Sequence, residues 1–177
     1  KHKTGPTEHL LFINVVGASF MYKRTVFEAL EGYNEQLFLL EDFDFWLRAG
    51  RIFRYAHLSE NLYQYRLHAK SLTAGIQGDK THNKKHDKGI ALMFSNLASV
   101  CSWHPETKSI LTEHFNRKQV EVKKYFANKE IIKNDLFNFN PDHMDKELVL
   151  VGLLKVVRSR LVSETKYQTF KNLLLVL

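Results

Sequence analysis

The sequence is poor in the features that cross-link a chain or anchor it in a bilayer. One cysteine among 177 residues excludes an intrachain disulfide and fits a reducing compartment, so we expect Cys101 to be a buried structural thiol. The longest apolar runs, "LVLVGLL" at 148–154 and "LLLVL" at 173–177, are too short to span a membrane. No signal-peptide pattern is present. The first residue is Lys1 rather than methionine, from which we expect a piece of a longer protein or a processed chain.

The composition is that of a globular protein with an uneven charge. Apolar residues make up 44% and charged residues 25% of the chain, which excludes a disordered tail. Residues 1–79 hold nine basic and nine acidic side chains, whereas residues 80–177 hold seventeen and ten. The net charge of +7 therefore belongs to the second half, and the sequence predicts two regions, 1–79 and 80–177.

In the first region the sequence pattern predicts strands alternating with helices. We expect strands around 18–22 and in the aromatic-rich stretches 51–58 and 61–68. We expect a short helix over 24–33 that Gly32 ends, and a two-turn helix over 42–50 whose buried stripe is Phe43, Trp46 and Leu47. Residues 71–89 are predicted to be a loop.

The second region carries helical periodicity from about residue 88 onward. Three long segments, 91–103, 105–128 and 145–161, and a final amphipathic stretch, 165–177, predict helices. Pro105 and Pro141 are predicted as first-turn prolines. His82 and His86 have the spacing of a zinc pair, but lysines surround them and no third ligand is evident, which favours a solvated basic face.

The stretch "LFLLEDFDFWLR" places Glu41, Asp42 and Asp44 among aromatic residues. One interpretation is structural: Asp42 caps the helix, while Glu41 and Asp44 favour its positive end. Arg48 then favours the opposite end or pairs with Glu41 or Asp44. The other interpretation is that these carboxylates are held at the edge of a core for acid–base chemistry.

Four motifs in this order, "NVVGASFMYKR", "EGYNE", "EDFDFWLR" and "YRLHAKS", resemble the C-terminal half of family 2 glycosyltransferases, inverting enzymes with a GT-A fold. The resemblance covers about residues 12–73. The positions that carry it are Asn14, Gly17, Ser19, Gly32, Tyr33, Glu35, Glu41, Asp42, Trp46, Leu47, Arg48, Tyr65, Arg66, His68 and Ser71. It implies an α/β fold, a partial GT-A-like mixed sheet with helices over 1–79 that lacks the Rossmann-like nucleotide half, followed by an α-helical region over 80–177.

The resemblance also implies an activity, which is transfer of a sugar from a nucleotide-sugar to an acceptor hydroxyl with inversion. Asp42 corresponds to the general base and Glu41 to an acceptor ligand or orienting group. His68 would approach the diphosphate or a divalent metal, Mg²⁺ or Mn²⁺, and Arg66 the phosphates; the alternative is that both lie on the exposed face of a strand.

Three further positions, Trp46, Asn14 and Ser19, fall on the acceptor side of the resemblance. For Trp46 we favour core packing over a platform for a sugar face. The pattern Asp42-Phe43-Asp44 matches a D-x-D metal motif literally, but it lies inside a helix rather than after a strand of the nucleotide half. We therefore do not interpret it as the metal motif.

The expected role is that of the acceptor-side part of an enzyme of surface polysaccharide or lipid-linked glycan synthesis, inactive without its donor-binding half. We expect a cytoplasmic protein, with a position at the inner face of the membrane as an alternative because the tail is basic. Nucleic acid is disfavoured as a partner, since no known binding module accompanies the charge. The competing hypothesis is a non-catalytic interaction or membrane-surface module that retains a degenerate transferase half.

Overall fold

The computed structural model describes residues 5–16, 18–58, 60, 62–64, 66, 80–116 and 122–158. This part of the chain forms one short 3-10 helix and seven α-helices. The 3-10 helix is Thr7–Leu11, and the α-helices are α1 (Arg24–Ala29), α2 (Glu41–Gly50), α3 (Lys80–Val100), α4 (Pro105–Phe115), α5 (Val122–Ala127), α6 (Lys129–Phe137) and α7 (Lys146–Arg158).

The predicted mixed sheet is wrong, because the described residues contain no strand. Residues 18–22 and 51–58, both predicted as strands, have no ladder partner among them. A strand is stable only when its backbone groups pair with a neighbour. The aromatic side chains that suggested a sheet face pack on α2 instead: the Phe20 ring lies 4.6 Å from the Trp46 ring, and the Tyr55 hydroxyl donates to the Trp46 carbonyl at 2.5 Å. The aromatic pattern of these two segments therefore reflects burial against a helix rather than pairing in a sheet.

Helix α1 ends as the sequence predicts, through Gly32. The amide of Gly32 donates to the Phe27 carbonyl at 3.0 Å, and the amide of Glu31 donates to the Glu28 carbonyl at 3.2 Å. This pair of bonds is a Schellman motif. Gly32 has a φ of +76°, and a Cβ there would lie 2.9 Å from the Phe27 ring, so the turn requires glycine.

Helix α2 is confirmed, and its predicted buried stripe lies in the core. Phe43, Trp46 and Leu47 are each at most 3% exposed. The helix packs on the 3-10 helix and on α3, while α4 and α6 complete the core and α7 covers the 3-10 helix. A helix buried on most of its surface is a rigid support for the side chains at its two ends.

The second region confirms the predicted helices with three corrections. The predicted loop at 71–89 is wrong from Lys80 onward, where α3 begins; residues 71–79 lie outside the described part. Pro105 is a first-turn proline of α4, but Pro141 lies in the turn between α6 and α7. The single helix expected over 105–128 is interrupted, since α4 ends at Phe115. The amphipathic stretch 165–177 lies outside the described residues.

One buried polar cluster is centred on Asp135, whose side chain binds the start of α4. Its carboxylate accepts hydrogen bonds from the His104 amide at 2.8 Å and from the Thr107 hydroxyl at 2.6 Å. The Trp103 indole donates to the Asp135 carbonyl at 2.8 Å. Asp135 therefore caps α4 from α6, a contact between residues far apart in sequence.

Cys101 at the end of α3 is half-buried and free, and burial raises its pKa to about 11. A thiol of raised pKa is unreactive at neutral pH, but Cys101 is only partly buried, whereas the sequence predicted a buried thiol. Within the described ranges, no helix has both the length and the apolar character that crossing a bilayer requires.

Candidate functional site

The candidate site begins at the N-terminus of α2, where the acids lie. Leu40 is the N-cap and supplies no side-chain bond, so the prediction that Asp42 is the capping residue is wrong in position. Asp42 is the second residue of the helix, and its Oδ1 accepts the Phe43 amide at 2.6 Å. The carboxylate thus binds one of the amides that a helix start leaves without a carbonyl partner.

The surroundings of Asp42 make it a better base than a free aspartate. Desolvation by the surrounding protein raises its pKa, the amide of Phe43 opposes that shift, and the charge of Glu41 adds to it. The residue nevertheless keeps an exposed face. A carboxylate that is reachable from solvent and has a raised pKa suits proton abstraction.

Glu41 lies beside Asp42 and is half-buried. Its Oε2 is buried and accepts no hydrogen bond from the described residues. A buried acceptor without a donor costs free energy.

Two tyrosines complete the group and were missed by sequence reasoning. The Tyr33 hydroxyl lies 3.2 Å from the Tyr22 hydroxyl. Burial, this hydrogen bond and the nearby charges of Asp42 and Glu41 raise the pKa of Tyr33 to about 12. Tyr33 was part of the matched motif "EGYNE", but its spacing from Asp42 did not indicate an electrostatic interaction between the two groups.

Trp46 lies one turn further along α2 and is 3% exposed, which confirms its core position. The rings of Phe20 and Tyr22 pack on it at 4.6 and 5.9 Å. Phe20 is 46% exposed, so it, rather than Trp46, is the ring that reaches solvent.

Asp44 and Arg48 form a structural pair, which agrees with the helix-supporting role predicted for Asp44. Arg48 Nε donates to Asp44 Oδ2 at 2.8 Å, and the two Nη atoms donate to the carbonyls of Leu30 and Gly32 at 2.6 and 2.7 Å. This guanidinium ties the end of α1 to α2.

For the other predicted site residues the structure shows only local surroundings. Asn14 Oδ1 accepts the amide of Val16 at 3.2 Å, a local turn contact, and Ser19 is exposed. Arg66 is exposed. His68 lies outside the described residues, so its predicted place at the diphosphate or metal stays a prediction.

The described residues do not fit a divalent metal. Among them, no group of three or more His, Cys, Asp or Glu side chains could hold an ion. The D-x-D pattern does not form a metal site, because Asp44 is 4% exposed and bound to Arg48. Asp44 and Asp42 therefore cannot coordinate the same ion. The His86 ring lies 4.0 Å from the Asp87 carboxylate, whereas the side chain of His82 is outside the described set.

The backbone just before the acids is strained. Leu39 has a φ of +65°, a left-handed conformation that costs a bulky residue about 1–2 kcal/mol. The hydrogen bonds of Leu40 to Leu37 and of Asp44 to Leu40 hold the chain on both sides of it. Strain of this kind is found where a structure must present particular side chains.

Comparisons of the chain with family models, characterised proteins and solved structures found no match. The class of this protein therefore rests on its own residues and geometry.

Proposed function

We propose that the chain is the acceptor-side part of an inverting glycosyltransferase in which Asp42 is the general base. The observation that carries the proposal is the exposed Asp42 carboxylate of raised pKa, held at the start of a buried helix beside Glu41. The order of the motifs in the sequence supports the same role. The sheet expected from that resemblance is not part of the proposal.

The proposed reaction is a single displacement. The acceptor hydroxyl donates its proton to Asp42 while its oxygen attacks the anomeric carbon of a nucleotide-sugar. The bond from that carbon to the diphosphate breaks, the nucleoside diphosphate leaves with the electron pair, and the configuration inverts. Glu41, half-buried beside Asp42, accepts a hydrogen bond from a neighbouring hydroxyl and so orients the acceptor.

A divalent metal, Mg²⁺ or Mn²⁺, would neutralise the leaving diphosphate in such an enzyme. The described residues do not fit the ion, and we assign it no ligand among them.

Exposed apolar side chains in the first region fit an acceptor-side part that contacts a separate donor-binding half. Met21 is 95%, Leu62 72%, Leu58 65% and Phe38 62% exposed. Exposed apolar side chains that lie together on a surface mark interaction sites. In the proposed enzyme they face the half that binds the nucleotide-sugar, and the acceptor is a growing polysaccharide or a lipid-linked glycan.

The test is Asp42→Asn in the protein that carries this chain, assayed by release of nucleoside diphosphate from UDP- and GDP-sugars with a glycan acceptor. Asn keeps the oxygen that accepts the Phe43 amide but cannot take a proton, so turnover should fall by about 10²–10⁴. The wild-type rate should rise with pH as Asp42 ionises. The exposed Glu28→Gln on α1 is the matched control and should retain full turnover.

Undiminished turnover in Asp42→Asn would contradict the assignment of the base. If the wild type transfers no sugar from any of these donors, the proposed activity is wrong. The exposed apolar surface would then favour the second candidate, a non-catalytic interaction module.

A further inference from the structure

A polar cleft lies at the end of α2 opposite to Asp42. Its walls come from the start of the 3-10 helix, from the segment that follows α2, and from the turn between α6 and α7. Its volume is about 200 Å³, below the roughly 300–1,000 Å³ of pockets that take drug-sized ligands, so it suits one small ring. No motif in the sequence pointed to it.

Two buried acceptors at this cleft are held in place by the backbone. Glu8 is 7% exposed, and its Oε1 accepts the Asp145 amide at 3.1 Å. Asn140 is 6% exposed, and its Nδ2 donates to the Gly50 carbonyl at 2.7 Å. In each case the backbone holds one atom of the side chain, and the carboxylate or amide carries a second polar atom. Both are therefore preorganised to accept a donor from a ligand.

The rim of the cleft supplies donors. The Arg54 guanidinium donates to Nδ1 of His143 at 3.3 and 3.2 Å. Because Nδ1 is the acceptor in this contact, the neutral imidazole carries its proton on Nε2 and can donate it. Arg54 and His143 are both exposed, so their remaining donors are available to a molecule in the cleft.

The balance of these groups selects the class of ligand. One carboxylate and one guanidinium offset each other, so the cleft favours neither a simple anion nor a simple cation. Phe53, Tyr55 and Met144 add an apolar wall. A neutral sugar has hydroxyls that donate to Glu8 and Asn140 and accept from Arg54, together with an apolar ring face.

We propose that this cleft binds one neutral sugar unit of the glycan acceptor, remote from the reacting hydroxyl. The proposal rests on the proposed glycosyltransferase function for the identity of that glycan. Asp42 and Gly50 are eight residues apart on α2, or about 12 Å at 1.5 Å per residue. One sugar ring cannot span the distance between the two ends of α2. The cleft therefore binds a sugar further along the acceptor than the one that carries the attacking hydroxyl.

The experiment is a binding titration that needs no turnover. The protein is titrated with the methyl glycosides of glucose, galactose, mannose and N-acetylglucosamine, and with inorganic phosphate, and followed by saturation-transfer and amide NMR. At least one glycoside should shift the amides of Gly50 and Asp145, and phosphate should not displace it. Glu8→Gln removes the charge but preserves the bond to Asp145, and Arg54→Ala removes the rim donor; each should weaken binding about tenfold or more, the loss of one hydrogen bond to a charged group.

Controls separate folding from binding. Glu28→Gln and Arg24→Ala are exposed on α1, away from the cleft, and should bind like the wild type. Arg54→Lys preserves the charge and should recover part of the affinity lost in Arg54→Ala. Binding of phosphate in place of all glycosides, no binding at all, or unchanged affinity in both cleft variants would each overturn the proposal. None of these outcomes bears on Asp42, whose test is turnover, so the two proposals fail separately.

Discussion

Removing the guanidinium of Arg48 should lower the free energy of unfolding strongly, and Arg48→Ala tests this. The side chain makes three hydrogen bonds of 2.6–2.8 Å, to Asp44, Leu30 and Gly32. Breaking a buried ion pair by removing one partner costs about 3–5 kcal/mol. Because the Arg48 side chain is 28% exposed, we reduce this to about 2–4 kcal/mol. For a chain of this length the loss corresponds to a fall in Tm of about 5–15 °C.

The cost should depend on pH with a definite sign. Burial raises the pKa of Asp44, and Arg48 opposes that shift, so removing Arg48 raises the pKa further. A carboxyl whose pKa is higher in the folded state than in the unfolded chain penalises folding above the folded pKa, and the penalty disappears below the unfolded pKa. The deficit of Arg48→Ala should therefore be largest near neutral pH and shrink on acidification.

Urea denaturation followed by circular dichroism at neutral and at acidic pH measures this deficit. Arg24→Ala removes an exposed arginine of α1 and should change the free energy of unfolding by less than about 0.5 kcal/mol. Asp44→Asn combined with Arg48→Ala should recover part of the loss, because no buried charge is then left unpaired. A deficit as small as that of Arg24→Ala, or one that grows on acidification, would refute the reasoning.

Two further predictions concern a helical glycine and the proposed base. Gly152→Ala should destabilise by about 1–3 kcal/mol despite the better helix propensity of alanine, because the new Cβ would overlap the buried ring of Phe12. Gly89→Ala, where the Cβ would meet only the tip of Leu40, should be near neutral in the same urea titration; equal losses at both sites would contradict this. Because its pKa is raised in the folded state, ionised Asp42 costs stability above that pKa, so Asp42→Asn should be at least as stable as the wild type at neutral pH and converge with it on acidification. Thermal melts at neutral and acidic pH test this. If Asp42 only stabilised the helix dipole, Asp42→Asn would instead lose about 0.5–1 kcal/mol of stability at neutral pH.

Local signals in the sequence were sufficient for α1 and α2. The glycine at position 32 and the i, i+3, i+4 spacing of Phe43, Trp46 and Leu47 depend on neighbours within one or two turns, and both predictions are confirmed. The pairing of Asp44 with Arg48 is of the same kind, since i, i+4 side chains meet on any helix.

The failed predictions concern contacts between distant residues. Whether an aromatic-rich segment such as 51–58 becomes a strand depends on a partner that its own pattern cannot specify, and here Tyr55 packs on α2 instead. The start of α3 at Lys80 was missed because the lysines and histidines of its first turns carry no apolar stripe. The electrostatic influence of Asp42 on Tyr33, and the position of Glu8 and Asn140 on one cleft, follow from tertiary packing alone.

Helix α2 joins the two proposed sites, and its packing explains how one element can serve both. Its interior positions are buried against the 3-10 helix and α3, so neither end can shift without disturbing the core. The start of the helix carries the Asp42 carboxylate, while Gly50 at its end accepts the Asn140 amide that shapes the cleft. A rigid helix between a proton acceptor and a sugar subsite would set the distance from the reacting hydroxyl to the recognised unit. In one kinetic series with a longer acceptor, changes to the cleft residues should then alter KM, whereas a change to Asp42 should alter kcat. The two roles are therefore separable.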